Sequence, residues 1–224
     1  MDTLMLASIL FLGTHLGVSS TPIRGMLVKG MGERPYIGVY SVLAAITLGF
    51  MIYAYVHVPH DDFVWVPGIA EHAITKALMP FAFILLVAGL MAKNPTAVMS
   101  DDAVNQPLAG ILKITRHPVQ WAILLWGIGH VVANGDMASI LFFGTFALLS
   151  AIGMAAMDAR RRSREEPAWE QFYASTSNVP LVALAAGRTS LKINELNWLA
   201  VGIGLVLFVL VYVFHAWIAG VPLY

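Results

Sequence analysis

His15 and His130 are the side chains of this sequence best suited to chemistry, because each interrupts an apolar run. His15 lies in FLGTHLGVSS and His130 in WGIGHVVANGD. An ionisable group inside a membrane-length apolar stretch is costly and by default marks function. Neutral imidazole is a good axial ligand for haem iron. Gly13 and Gly17 flank His15, and Gly127 and Gly129 precede His130. Glycine lets a backbone approach a flat macrocycle closely, and it equally lets two membrane helices pack. Two readings stay open on the residues alone: a pair of metal or haem ligands, or imidazoles hydrogen-bonded across helices. At 1.5 Å per residue their depths differ by roughly 5–10 Å, a gap that tilted helices would bridge across one flat cofactor.

The other candidates are weaker. His57, His60, His72 and His215 stand near Asp61, Asp62 and Glu71 or a chain end, in spacings that match no closed metal site. They read as solvated interfacial histidines. Arg116-His117-Pro118 enters an apolar run. It reads either as a basic corner gripping a carboxylate or haem propionate, or as a snorkelling arginine before a proline-started helix. Arg160 to Arg164 forms a basic cluster that suits a topology signal and a lipid head-group contact. No Gly-rich phosphate loop and no Ser-His-Asp order is present. With no cysteine, disulfides, thiolate ligands and covalent c-type haem are excluded.

The elements that must position these residues are membrane helices. Of 224 residues, 58% are hydrophobic and only 12% charged, too few charges to cover a water-facing surface. Apolar runs of about 20 residues mark spans. They fall at about 4–20, 36–56, 73–92 (with Pro80 inside), 118–133, 137–157 and 198–219. Only Asn134-Gly135-Asp136 separates the fourth from the fifth, which predicts a tight antiparallel hairpin. All of the thirteen Lys and Arg except Lys76 fall in alternate loops. The positive-inside rule makes those loops cytoplasmic. The expected fold is therefore an all-α, polytopic transmembrane bundle of six spans, one domain over 1–224. Both termini lie on the non-cytoplasmic side of a bacterial-type inner membrane. The long polar segments 93–117 and 158–195 then face the cytoplasm, with room for a helical cap. The N-terminus lacks a basic region, so the first run reads as a retained span and not a cleaved signal. The formal net charge of zero gives no basis for a nucleic-acid partner.

The opening FLGTHLGVSSTPIRGMLVKGMGERPYIGVYSV and the later ITRHPVQWAILLWGIGHVVANGDMASILFFG resemble the two signatures of the NnrU family. That family includes relatives of plant and algal 15-cis-ζ-carotene isomerase, a membrane b-type haem protein whose isomerisation is linked to iron redox state. The resemblance implies haem b, with His15 and His130 as axial iron ligands; with haem there, Arg116 or Arg24 is the expected propionate partner. It implies a redox-gated, isomerase-like activity on an apolar polyene such as a ζ-carotene. The plant enzymes carry a Cys three residues before the second ligand. Gly127 stands there in this chain, so an exchange of Cys for His is ruled out. The bacterial branch takes its name from nitrite and nitric oxide reduction. A non-enzymatic accessory of that respiration, bound to a respiratory complex or to its own copies, is a second implied role.

A more distant resemblance is to membrane methyltransferases of the isoprenylcysteine carboxyl methyltransferase type. Arg116, His117 and Pro118 are followed by Glu165 and Glu166, then Trp169, Phe172, Tyr173 and Asn178-Val179-Pro180, in similar order. That likeness implies S-adenosylmethionine held by the second polar segment. The Gly-x-Tyr lead-in usual before the corner is missing, with Ile111-Leu112-Lys113 in that region.

Overall fold

The computed structural model describes residues 1–18, 21–97, 100–162, 166–221 and 223. Every regular element in them is helical. In chain order these are α1 (Asp2–Leu12), α2 (Pro22–Met31), α3 (Glu33–His57), α4 (Ile69–Met91), α5 (Ile111–Ile114), α6 (Pro118–Asn134), α7 (Met137–Arg162), α8 (Pro167–Ser175), α9 (Val182–Ala185), α10 (Trp198–Val213) and α11 (His215–Ala219). Each of the six apolar runs becomes helix. Three of them, α3, α4 and α7, are long and apolar enough to cross a membrane. A fourth crossing arises if Asp2–Val18 and Pro22–Met31, bent by 72°, are counted as one span. This is a membrane protein. Helix α4 runs through Pro80 without interruption. The last apolar run divides at Phe214, so α10 keeps 16 residues, roughly 24 Å of rise.

The chain separates into two compact units, Met1–Thr75 with Gly127–Ala156, and Lys76–Trp126 with Met157–Tyr224. In the first unit, α1 continues into a π-helical turn, Gly13–Val18, before α2 begins. Thr21 caps α2 by accepting from the Ile23 amide, and Pro22 takes the first helical position, where its missing N–H costs nothing. The expected hairpin is present, with α6 ending at Asn134 and α7 starting at Met137. Its Gly135 has φ +73°, a conformation that favours glycine. The segment after α3 folds over this turn. Val64 N–H donates to the Gly135 carbonyl, Met137 N–H to Asp62, and the Trp65 indole to Val132. A side chain at Gly135 would collide with the Trp65 carbonyl.

In the second unit, glycines let backbones touch. A Cβ at Gly204 of α10 would lie 2.9 Å from the Ile84 backbone of α4, and one at Gly89 would lie 2.8 Å from Pro118. Val87, Ala88, Ile111, Leu112 and Ala200 form one buried cluster, and Trp169, Phe172 and Tyr173 another. The two polar segments carry short helices, α5 in the first and α8 and α9 in the second.

Gly127 shows close helix approach in the first unit. A Cβ there would stand 2.8 Å from the Phe143 carbonyl and 3.1 Å from the Ala147 backbone nitrogen. Its small size serves α6–α7 packing. We expect Gly127→Cys to destabilise the protein by about 1–3 kcal/mol through overpacking without creating a ligand for iron. Thermal unfolding in detergent checks this. An unchanged midpoint would contradict the close approach.

Candidate functional site

His15 sits in the π-helical turn. Single π turns inside α-helices are rare and concentrate at functional sites. Its Nδ1 donates to the Phe11 carbonyl at 2.8 Å, which in the neutral ring puts the lone pair on Nε2. The ring lies 4.1 Å from Phe11 and edge-on to Tyr40 at 5.8 Å. A Cβ at Gly13 or Gly17 would meet nothing within 4 Å, so the backbone beside His15 leaves room for a flat group.

His130 lies on α6 in the same unit and stacks on Phe143 at 4.7 Å. The two imidazoles are linked by aromatic rings. Phe11 meets Phe146 at 5.4 Å, Phe146 meets Phe142 at 5.3 Å, and Phe142 meets Phe143 at 5.1 Å. His15 is four residues beyond Phe11, and Phe143 three before Phe146. At 1.5 Å per residue, the two histidines therefore differ in depth by roughly 10 Å, the upper end of the expected gap. Helical side chains lean toward their own N-terminus. Helix α6 is antiparallel to α7 through the hairpin. Tyr40, early in α3, meets His15 at the end of the first helix, while Tyr55, late in α3, meets Ser139 and Phe142 early in α7. Helices α1 and α6 thus run in opposite senses, so the ordinary lean of their side chains is in opposite directions along the axis.

Arg24 is in the first unit too. It donates to Glu33 at 3.0 Å and lies 5.5 Å over the Tyr36 ring. Tyr36 stacks on Tyr40, which links Arg24 to the His15 surroundings through two rings. Arg116 belongs to the second unit. Its Nε is 3.5 Å from Asp158, and its guanidinium lies 4.6 Å over Tyr173. His117 is fully buried and its Nε2 is 2.7 Å from the same carboxylate. Burial lowers the Arg116 pKa, opposed by the Asp158 charge. Burial, helped by Asp158, pushes the Tyr173 phenol up to about 12, so it remains protonated. The Arg-His-Pro corner is thereby knotted to the end of α7. Sequence reading missed Asp158, whose only signal is that it is the first charge after the apolar run of α7. The sequence predicts that Arg160–Arg164 act together as a topology signal and lipid head-group contact. Arg161 instead turns inward, 3% exposed, donating to Asp101 and lying 5.2 Å over Trp169. Glu165 and Arg164 lie outside the described residues.

The interfacial histidines are tied locally. His57 Nδ1 donates to the Tyr53 carbonyl, His72 Nδ1 to Gly68, and His215 Nδ1 to Val221. Among the described residues no group of three or more His, Cys, Asp or Glu is placed to hold a metal ion. His60 is different. Its Nδ1 lies 3.0 Å from Asp136, a residue 4% exposed that also accepts from the Ser139 amide. Burial alone would raise the Asp136 pKa. Bonds from Ser139, with His60, outweigh that and hold it below the usual carboxylate range. A depressed folded-state pKa gives stability that is complete above the unfolded value, about 3.9, and lost as pH falls through the folded one. We therefore expect the segment over the hairpin to loosen only at strongly acid pH. Emission from Trp65, isolated by difference from a Trp65→Phe variant, checks this. A transition near the histidine range would contradict it.

A family model described as NnrU protein matches residues 3–223. A curated relative, the chloroplastic 15-cis-zeta-carotene isomerase of Zea mays, is 27% identical over 198 residues. The match covers 84% of this chain and 52% of the relative, so the chain spans about half that protein's length. No solved structure matches.

Proposed function

Starting from the fact that this chain belongs to the NnrU family, we propose that it is a haem b-dependent, isomerase-like membrane enzyme acting on an apolar polyene such as a ζ-carotene. His15 and His130 would hold its iron, and Arg24, in the same unit, would meet a propionate, whereas Arg116 is already committed to Asp158. The proposal includes six membrane crossings, both termini on the non-cytoplasmic side, and a bacterial inner membrane. The alternation of Lys and Arg between loops supports this topology.

The observation that carries the reading is the pair of imidazoles on oppositely directed helices of one compact unit, joined through a chain of aromatic rings, one of them in a π turn. The residues suit the group. The Phe11 carbonyl fixes the His15 tautomer that presents Nε2, and outer partners of this kind orient a metal ligand. The open backbone at Gly13 and Gly17 would admit a porphyrin edge. Phe11, Phe142 and Phe143 are buried and Phe146 packs with them, an apolar cluster that keeps water from the imidazoles. When bound, haem iron would supply a Lewis-acidic centre for weakening a double bond. The protein's part is to hold both ring planes, keep water out and align the polyene.

The test is spectroscopic. Protein purified from cells grown with ample haem should show a Soret band that shifts on dithionite reduction. A colourless preparation, or one whose band ignores dithionite, removes the haem reading.

A further inference from the structure

Helix α7 has 26 residues, so it rises roughly 39 Å against a hydrocarbon core of about 30 Å. Its first ionisable residue is Asp158, and its last turn holds Arg160, Arg161 and Arg162. That end therefore emerges among lipid head groups. Beside it the second unit holds a cavity of about 470 Å³, lined by Arg162, Glu166, Trp169, Glu170, Tyr173 and Arg188.

Among the described residues the charges of this cavity are two and two, and its cations are held in place. The Arg162 guanidinium lies 4.5 Å over the Tyr173 ring. Arg188 Nη1 donates to the carbonyls of Thr176 at 3.0 Å and Ala174 at 3.3 Å. Both side chains keep an exposed face, so they offer donors without first being ordered, which favours binding. Glu166 and Glu170 are four residues apart at the start of α8, hence on one face. A ligand with only negative charge would gain from the arginines and lose to the glutamates. A ligand carrying one phosphate and one ammonium satisfies both pairs. The segment between Thr176, whose carbonyl holds Arg188, and Arg188 itself carries exposed apolar residues. Val179, Leu181 and Val182 are 53%, 56% and 45% exposed. Leu181 holds a left-handed backbone, φ +68°, costly for a bulky residue. An exposed apolar lip at head-group depth suits acyl chains.

We propose that this cavity binds the head group of a zwitterionic aminophospholipid, with its phosphate on Arg162 and Arg188 and its ammonium on Glu166 and Glu170. The site uses groups apart from His15 and His130 and stands or falls without the haem reading. Soluble glycerophosphoethanolamine shares the head-group chemistry and differs only in lacking acyl chains.

Native mass spectrometry of the delipidated full-length protein tests it, with phosphatidylethanolamine, phosphatidylcholine and phosphatidylglycerol as probes. Phosphatidylethanolamine should bind at least about five-fold tighter than either, the ammonium hydrogen bonds making the difference. Glu166→Gln with Glu170→Gln should bring it down to the phosphatidylglycerol level. Arg162→Gln with Arg188→Gln should weaken both lipids together. Equal binding of the three lipids by the wild type overturns the proposal, as does a preference that survives the glutamate pair. Competition by glycerophosphoethanolamine at the affinity of the intact lipid overturns the lipid assignment. All four side chains are exposed, and unchanged helical circular dichroism certifies each variant. If the arginine pair fails that check, the glutamate pair decides alone.

Discussion

His15→Ala and His130→Ala should each lower the haem retained through purification by at least about ten-fold, since loss of even an outer partner of a metal ligand costs roughly 10–100-fold. The two need not fail alike. His15 sits in the π turn with its ring fixed by the Phe11 carbonyl, so its removal takes away the pre-oriented ligand. His130 leans on Phe143, and removing it leaves a hole that a small base can enter. Free imidazole should restore the Soret band of His130→Ala more fully than that of His15→Ala. Haem content measured as the pyridine complex, with and without imidazole, checks both statements. Wild-type haem content in both variants would mean that other residues hold the iron.

The second large effect belongs to the Arg-His-Pro corner. Asp158→Asn should cost about 3–5 kcal/mol of stability, because it leaves a buried guanidinium without its counter-charge. Arg116 is 5% exposed and its Nε faces this carboxylate, while His117, buried completely, bonds its other oxygen. Tyr173 adds a cation–π contact on Arg116. The loss should shrink in the double variant Arg116→Met with Asp158→Asn, where neither charge is stranded. Such non-additivity is expected of direct contacts. Thermal unfolding of the two single variants and the double variant in one detergent gives the cycle. A mild single effect with additive behaviour would mean that solvent, and not Asp158, compensates Arg116.

The helices were legible in the sequence because lipid demands continuous apolar runs, and the hairpin because three turn residues leave no room for anything else. Boundaries inside the runs were not. Nothing in GTHLGV distinguishes an i→i+5 turn from an α-helix, since both keep the stretch apolar. The break at Phe214 is hidden in the same way. Four arginines among residues 160–164 look equivalent on paper. At about 100° per residue Arg160, Arg161 and Arg162 face different directions, which is how Arg161 turns toward Trp169 while Arg162 stays at the surface. Gly127 was legible as a close approach, but the approaching group is the backbone of α7. Asp158 was invisible as a partner of His117 because 41 residues separate them, and a charge at a helix end has an obvious alternative in water. The histidine pair was conspicuous because each imidazole interrupts an apolar run, but the sequence left both a ligand pair and a hydrogen-bonded pair open.

The central claim is that two imidazoles of one compact unit share one iron. Electron paramagnetic resonance of the purified, oxidised protein addresses it most directly. The account predicts a low-spin ferric spectrum typical of two imidazole ligands, converted to another form in His15→Ala and in His130→Ala. A high-spin ferric spectrum in the wild type, or a low-spin one that survives either substitution, would contradict it.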